Sequence, residues 1–161
     1  MKKLVVLSVF VFVLWAGLSS AQESEPVQVS EVTAEDLGVS EPTLLPPSPF
    51  YFFKNFGRGV QRFFTFNPVR KVELELKFAD EKVVEVKAVA AQSPQSKEAL
   101  ERALANYHDA ANRLKGRLEG LLETSQNPNV DKFLDKLADR VVKHEELLTD
   151  LKEKVTGRVA E

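Results

Sequence analysis

The chain has 161 residues, with 22 Lys plus Arg against 24 Asp plus Glu, two histidines and no cysteine. Interleaved signs near neutrality leave no basic stripe for nucleic acid, and the missing thiols exclude disulfides and a lipid-modified cysteine, so stability rests on the core alone. Charged residues make up 29% of the chain, so an acidic pair falls near any chosen point and carboxylate proximity is no argument for catalysis.

At the start, Lys2 and Lys3 precede an uncharged apolar run from Leu4 to Leu18, and Ser19-Ser20-Ala21 ends in the small residues of a signal-peptidase site. Residues 1–21 therefore read as a signal peptide, and the expectation is an exported protein, periplasmic, cell-surface or secreted, beginning at Gln22. A membrane anchor would need about 20 apolar residues, more than this run supplies. Residues 22–48 carry Glu23, Glu25, Glu31, Glu35, Asp36 and Glu41 with no Lys or Arg, interrupted by Pro26, Pro42, Pro46 and Pro47. That composition predicts an acidic linker stiffened by proline. Within it, Thr33-Ala34-Glu35-Asp36 followed by Gly38 predicts one capped helical turn.

A helical domain is expected over 49–161. Ser48-Pro49, Asn67-Pro68, Ser93-Pro94 and Asn127-Pro128 each place a capping residue before a proline. Proline drives the preceding residue out of the α region, where an N-cap must sit, and its missing N–H costs nothing at the first helical position. Four helices follow, at about 49–65, 68–91, 94–123 and 128–158. In the first, Phe50, Phe52, Phe53, Phe56, Phe63, Phe64 and Phe66 crowd beside Tyr51, while Lys54, Arg58 and Arg62 recur at every fourth position and no acidic residue intervenes. Such a helix is amphipathic. Its aromatics are expected to dock on Leu74 and Phe78 of the next helix with the charges facing water. The alternative is a membrane surface, with Phe50, Phe53, Phe56 and Phe63 sinking into it and Lys54, Arg58 and Arg62 meeting anionic headgroups.

The other three helices carry heptads. Val69, Val72, Leu76, Ala79, Val83, Val86 and Ala90 form one seam; Leu100, Leu104, Tyr107, Ala111, Leu114, Leu118 and Leu121 a second; Val130, Leu134, Leu137, Val141, His144, Leu148, Leu151 and Val155 a third. Spacing that averages 3.5 residues is that of a coiled-coil seam, and short connections make consecutive helices antiparallel. The fold class is thus all-α: an antiparallel three-helix coiled-coil-like bundle with an additional N-terminal aromatic helix. His144, a polar residue in the third seam, fixes register at a cost in stability, so leucine there should stabilise. His108 lies level with it, and Glu75 at comparable height. Two histidines and a carboxylate are candidate ligands for a zinc-type ion. The reading preferred here is structural, with no metal and no cofactor.

A family resemblance accompanies these patterns. Leu45-Pro46-Pro47-Ser48-Pro49-Phe50-Tyr51, Lys54, Phe64-Thr65-Phe66-Asn67-Pro68, Lys71, Glu73-Leu74 and Phe78-Ala79-Asp80-Glu81 resemble the signature of a bacterial extracytoplasmic helical family, the domain of unknown function 5667. The likeness spans about residues 33–90. Asn67 stands where that family usually has aspartate and Val72 where it has alanine, and both substitutes keep their roles as cap and seam residue. The resemblance implies export and a helical domain, and it brings no activity, ligand or site residue. With no glycine-rich phosphate loop and few histidines, the functional expectation is a non-catalytic interaction module. Its partner would be an unidentified protein, or alternatively a membrane surface.

Overall fold

The computed structural model describes residues 32–46, 48–93, 96–124 and 129–159. The expected signal peptide, the first part of the expected linker, Pro94 and the pair Asn127-Pro128 lie outside the described residues. Among the described residues there is no strand, and four helices follow in order: α1 Tyr51–Phe64, α2 Pro68–Gln92, α3 Lys97–Thr124 and α4 Asn129–Val159. The fold is an all-α helical bundle. No helix among the described residues is long and apolar enough to cross a membrane.

The caps follow local chemistry. Asn67 is extended, its side chain accepts the Arg70 N–H at 3.1 Å, and Pro68 takes the first helical position, as its sequence predicts. Two serines act elsewhere than expected. Ser48 Oγ accepts the Phe50 N–H at 3.2 Å within a turn, and α1 begins only at Tyr51. The Ser93 N–H bonds Val89 O at 2.8 Å and so closes α2, leaving Ser96 Oγ to accept the Ala99 N–H at 3.2 Å at the start of α3.

Helix α2 packs on both α3 and α4. Its burial therefore runs round most of its circumference: the seam residues Val72, Leu76, Ala79, Val83, Val86 and Ala90 are covered, and so are Phe78, Val84, Val89 and the charged Glu75, Asp80, Lys82 and Glu85. In the first half of α3 the buried residues are Ala99, Ala103 and Ala110, each one position before the expected Leu100, Leu104 and Ala111. Alanine lets two backbones approach, and the half-buried leucines flank that contact. From Leu114 to Leu121 the expected seam is the buried one.

Residues 32–39 are part of the fold and not a free linker. Thr33 and Asp36 form the expected cap, the Thr33 N–H donating to Asp36 Oδ2 at 2.8 Å and the Asp36 N–H to Thr33 Oγ1 at 3.2 Å. The Thr33 hydrogen bonds hold the Asp36 carboxyl below its usual range. Gly38 then turns the chain at φ +61°, where a side chain would be strained and would meet Arg140 at 3.1 Å. The turn buries Val32, Ala34 and Leu37 against Val83 and Val84 of α2 and Leu147 of α4. Its carbonyls are held as well, with Lys87 Nζ donating to Val32 O at 2.9 Å and Lys143 Nζ to Asp36 O at 3.2 Å. Composition alone hid this docking, because three apolar residues in an acidic stretch are enough to anchor it.

Candidate interaction face

Helix α1 lies on α2 with its charged face inward. At 100° per residue, Tyr51, Lys54, Asn55, Arg58 and Arg62 occupy one side of the helix, and Phe52, Phe53, Phe56, Val60, Phe63 and Phe64 fall within about 120° of the other. The first set meets α2. Arg62 makes a two-pronged contact with Glu75, Nε to Oε1 at 2.8 Å and Nη2 to Oε2 at 3.0 Å. Arg58 Nη2 bridges Glu81 at 2.6 Å and Glu85 at 2.9 Å, and Lys54 Nζ reaches Glu85 at 2.8 Å. Lys82 of α2 adds a fourth cation, 3.1 Å from Glu85, and donates to the Tyr51 hydroxyl, which itself donates to Glu85.

Burial makes this network strongly coupled. Glu85 is fully buried and Arg58 and Lys82 are each 4% exposed. Burial alone would raise the Glu85 pKa, but Lys82, Lys54, Tyr51 and Arg58 outweigh it and hold the carboxyl below its usual range. For Arg58 burial pulls the pKa down while Glu81 and Glu85 push it further up, and the carboxylates win. Lys82 goes the other way: burial lowers it to about 8 despite Glu85. Burial and the Glu85 charge push the Tyr51 phenol well up, so it stays a donor. All four groups are mutually satisfied, which is what makes a buried ionic cluster tolerable.

The expected docking of aromatics on Leu74 and Phe78 is reversed. Phe78 is 1% exposed, but the groups that cover it are guanidiniums, Arg62 at 4.5 Å and Arg58 at 5.7 Å from the ring centre. The phenylalanines face out instead: Phe50, Phe52, Phe53, Phe56, Phe63, Phe64 and Phe66 are 59–76% exposed. Of the candidate membrane face, then, Phe50, Phe53, Phe56 and Phe63 stand together on the surface. Lys54, Arg58 and Arg62 are withdrawn from it by ion pairs. Sequence reasoning named Glu75 only as a candidate metal ligand and did not pair Glu75, Glu81 and Glu85 with α1, although the signal for that pairing was present. Contacting residue numbers sum to 137 for Arg62–Glu75 and to 139 for Arg58–Glu81 and Lys54–Glu85, the near-constant sum of two antiparallel helices.

The two histidines have different surroundings. His144 is buried between α2 and α3, its Nε2 2.8 Å from Asp80 Oδ1 and its Nδ1 3.2 Å from the Tyr107 hydroxyl. An Nε2–H donor to Asp80 and an Nδ1 acceptor from Tyr107 satisfy both ring nitrogens of one neutral tautomer. Burial and the Asp80 charge raise the Tyr107 pKa to about 12, which keeps its proton in that bond. Arg140 Nε lies 3.7 Å from the second Asp80 oxygen and is buried without a hydrogen bond. Carboxylate, imidazole and hydroxyl stand in the order of a proton relay, and its Tyr107 end packs beside the core cluster of Val83, Val84 and Leu147. His108 is exposed and Glu75 is engaged by Arg62. Among the described residues no three His, Asp or Glu side chains are grouped to hold a metal ion.

The family model for the Domain of unknown function (DUF5667) matches residues 43–158. The chain belongs to this family. The DUF5667 match covers α1, the ionic seam beneath it, the Asp80–His144 contact and most of α4, well beyond the segment that carries the sequence resemblance. No curated protein and no solved structure matches the chain.

Proposed function

We infer that this DUF5667 chain is an exported, non-catalytic helical module that docks through the aromatic face of α1. The observation that carries the inference is the inversion of α1: its three charged side chains are held inward by carboxylates of α2, and seven phenylalanines along and beside it are left in water. Contiguous apolar surface on this scale marks interaction sites in soluble domains. Export is supported by Lys2, Lys3, the apolar run and the small residues at 19–21. A bacterial, extracytoplasmic setting is supported by the sequence signature around residues 45–81.

The frame for this face is a coiled-coil-like bundle in which α2, α3 and α4 run up, down and up, with α1 as the additional N-terminal helix. Contacts that fall along α3 while they rise along α2 support that topology: Asp80 is joined to Tyr107 through His144, whereas Val86 and Val89 cluster with Ala99 and Ala103. Along α4 they rise together, Asp80 with His144 and then Val83 and Val84 with Leu147.

Photocrosslinking in the producing cells tests the docking role. A benzophenone amino acid at Phe56 should capture a partner, protein or lipid, and the same group at the exposed Glu101 of α3 should not. Equal labelling at both positions would refute the assignment of the face.

A further inference from the structure

Building on that docking role, we propose that the aromatic face of α1 is a monotopic membrane contact whose partner is the uncharged hydrocarbon boundary of a lipid leaflet, not its anionic headgroups. Three observations select this occupant. The first is chemical. Phe52, Phe53, Phe56, Val60, Phe63 and Phe64 form the whole outward arc, without one hydrogen-bonding side chain. A protein interface makes about one hydrogen bond per 100–200 Å², whereas hydrocarbon needs none and excludes any group that would require one. Tyr51, the one aromatic of the helix with a polar tip, is turned inward onto Glu85.

The second is area and shape. The five rings of that arc, at 59–73% exposure, leave about 650 Å² of aromatic surface in water, taking about 200 Å² for a whole side chain. A second copy of α1 could not cover it. Two convex helices of 14 residues, each about 21 Å long, meet along one line, and Phe52 and Phe64 stand about 120° apart on the helix. Such a pair would cover roughly half of that surface, well short of the ~800 Å² per partner of a stable complex. A fluid leaflet follows the convex face and covers all of it.

The third is charge. An interfacial helix keeps its polar side away from the acyl chains, and here Lys54, Arg58 and Arg62 are neutralised on that side by Glu75, Glu81 and Glu85. None of the three is left over for an anionic headgroup. Membrane binding must therefore be carried by the rings, insensitive to salt and to lipid charge. The ion pairs also fix the rotation of α1, so every outward ring points to one side before a membrane is met.

The test uses the exported chain begun at Gln22 with Phe56→Trp, so that one indole reports from the face itself and the apolar run Leu4–Leu18 cannot carry the binding. Phosphatidylcholine vesicles should shift its emission to the blue, and lipids brominated on the acyl chain should quench it. Both effects should persist from low to high salt and gain no more than about twofold from added phosphatidylglycerol. Adding Phe53→Ser and Phe63→Ser should weaken partitioning at least tenfold, because two large apolar side chains are removed. An indole that does not respond to vesicles overturns the proposal. So does binding that appears only with anionic lipid and vanishes in salt, which would mean that the basic face had opened. Lipid-free self-association that buries the indole and is lost in the serine variant would assign the face to a second copy, refuting the lipid occupant but keeping the docking role. An indole indifferent to both vesicles and self-association, together with no selective crosslinking at Phe56, would refute both.

Discussion

Removing the Glu85 carboxylate should do more damage than any change on the aromatic face. It is fully buried and serves Lys54 at 2.8 Å, Arg58 at 2.9 Å, Lys82 at 3.1 Å and the Tyr51 hydroxyl. In Glu85→Ala, Arg58 keeps Glu81 at 2.6 Å and Lys54 can turn to water. Lys82 has no such exit. It retains the Tyr51 hydroxyl and a 3.4 Å contact to Asn55, and its ammonium is left buried without a countercharge. Breaking one side of a buried pair costs about 3–5 kcal/mol. For a domain of this size that corresponds to a fall of about 10–20 °C in melting temperature. Replacing both members with apolar residues of similar volume, Lys82→Met with Glu85→Leu, should recover much of the loss, since desolvation of the pair is then avoided too. Thermal unfolding followed by circular dichroism decides it. A melting temperature for Glu85→Ala within about 2 °C of wild type would show that α1 is not held by this seam.

Three further outcomes follow from the same contacts. Phe53→Asp with Phe63→Asp should leave stability within about 1 kcal/mol of wild type by urea titration, because both rings are already exposed, whereas Phe78→Ala should cost about 3–5 kcal/mol; equal losses would mean that the rings are packed. His144→Leu should destabilise by about 1.5–3 kcal/mol, because it strips Asp80 of its 2.8 Å partner with Arg140 Nε still 3.7 Å away; this reverses the expectation from seam position alone, and a raised melting temperature would restore it. Stability should climb as pH rises from about 8 toward 10, because Lys82 has a folded pKa near 8 against an ordinary 10.5 and the unfolded chain binds more protons across that window. Above pH 10 the gain should reverse as the unfolded chain releases the protons that Tyr51 and Tyr107 hold in the fold. Lys82→Met should flatten the climb, and an equal slope in both proteins would assign it to other groups.

The two faces of α1 were legible in its sequence, but which of them turns inward was not. Periodicity separates apolar from charged residues and is silent about the neighbour, and the usual choice of the apolar face assumes an apolar surface to receive it. Helix α2 offers carboxylates there. Glu75, Glu81 and Glu85 lie off its heptad seam, in step with Arg62, Arg58 and Lys54 across a short turn, so comparing the two stripes as a hairpin would have revealed the match. The heptads of α2 and of the second half of α3 were readable because leucine and valine fill them. In the first half of α3 the contact shifts to Ala99, Ala103 and Ala110, where close backbone approach outweighs side-chain size. His144 was visible as a polar residue in a seam, while Asp80 stood in the family signature with nothing in the sequence to tie it to His144. The turn at residues 32–39 was predicted locally from Thr33, Asp36 and Gly38, but its docking depends on three apolar residues meeting a groove built from distant parts of the chain.

The orientation of α1 is the central claim, and a single tryptophan in place of Phe56 measures it most directly. In the Phe56→Trp protein begun at Gln22, without lipid and held at a concentration where light scattering gives a monomer, emission should match that of an indole in water. Acrylamide should quench it nearly as well as in the urea-unfolded chain, because Phe56 is 66% exposed. Blue-shifted emission protected from acrylamide in that monomer would place the aromatic face inside the fold and contradict the inverted helix.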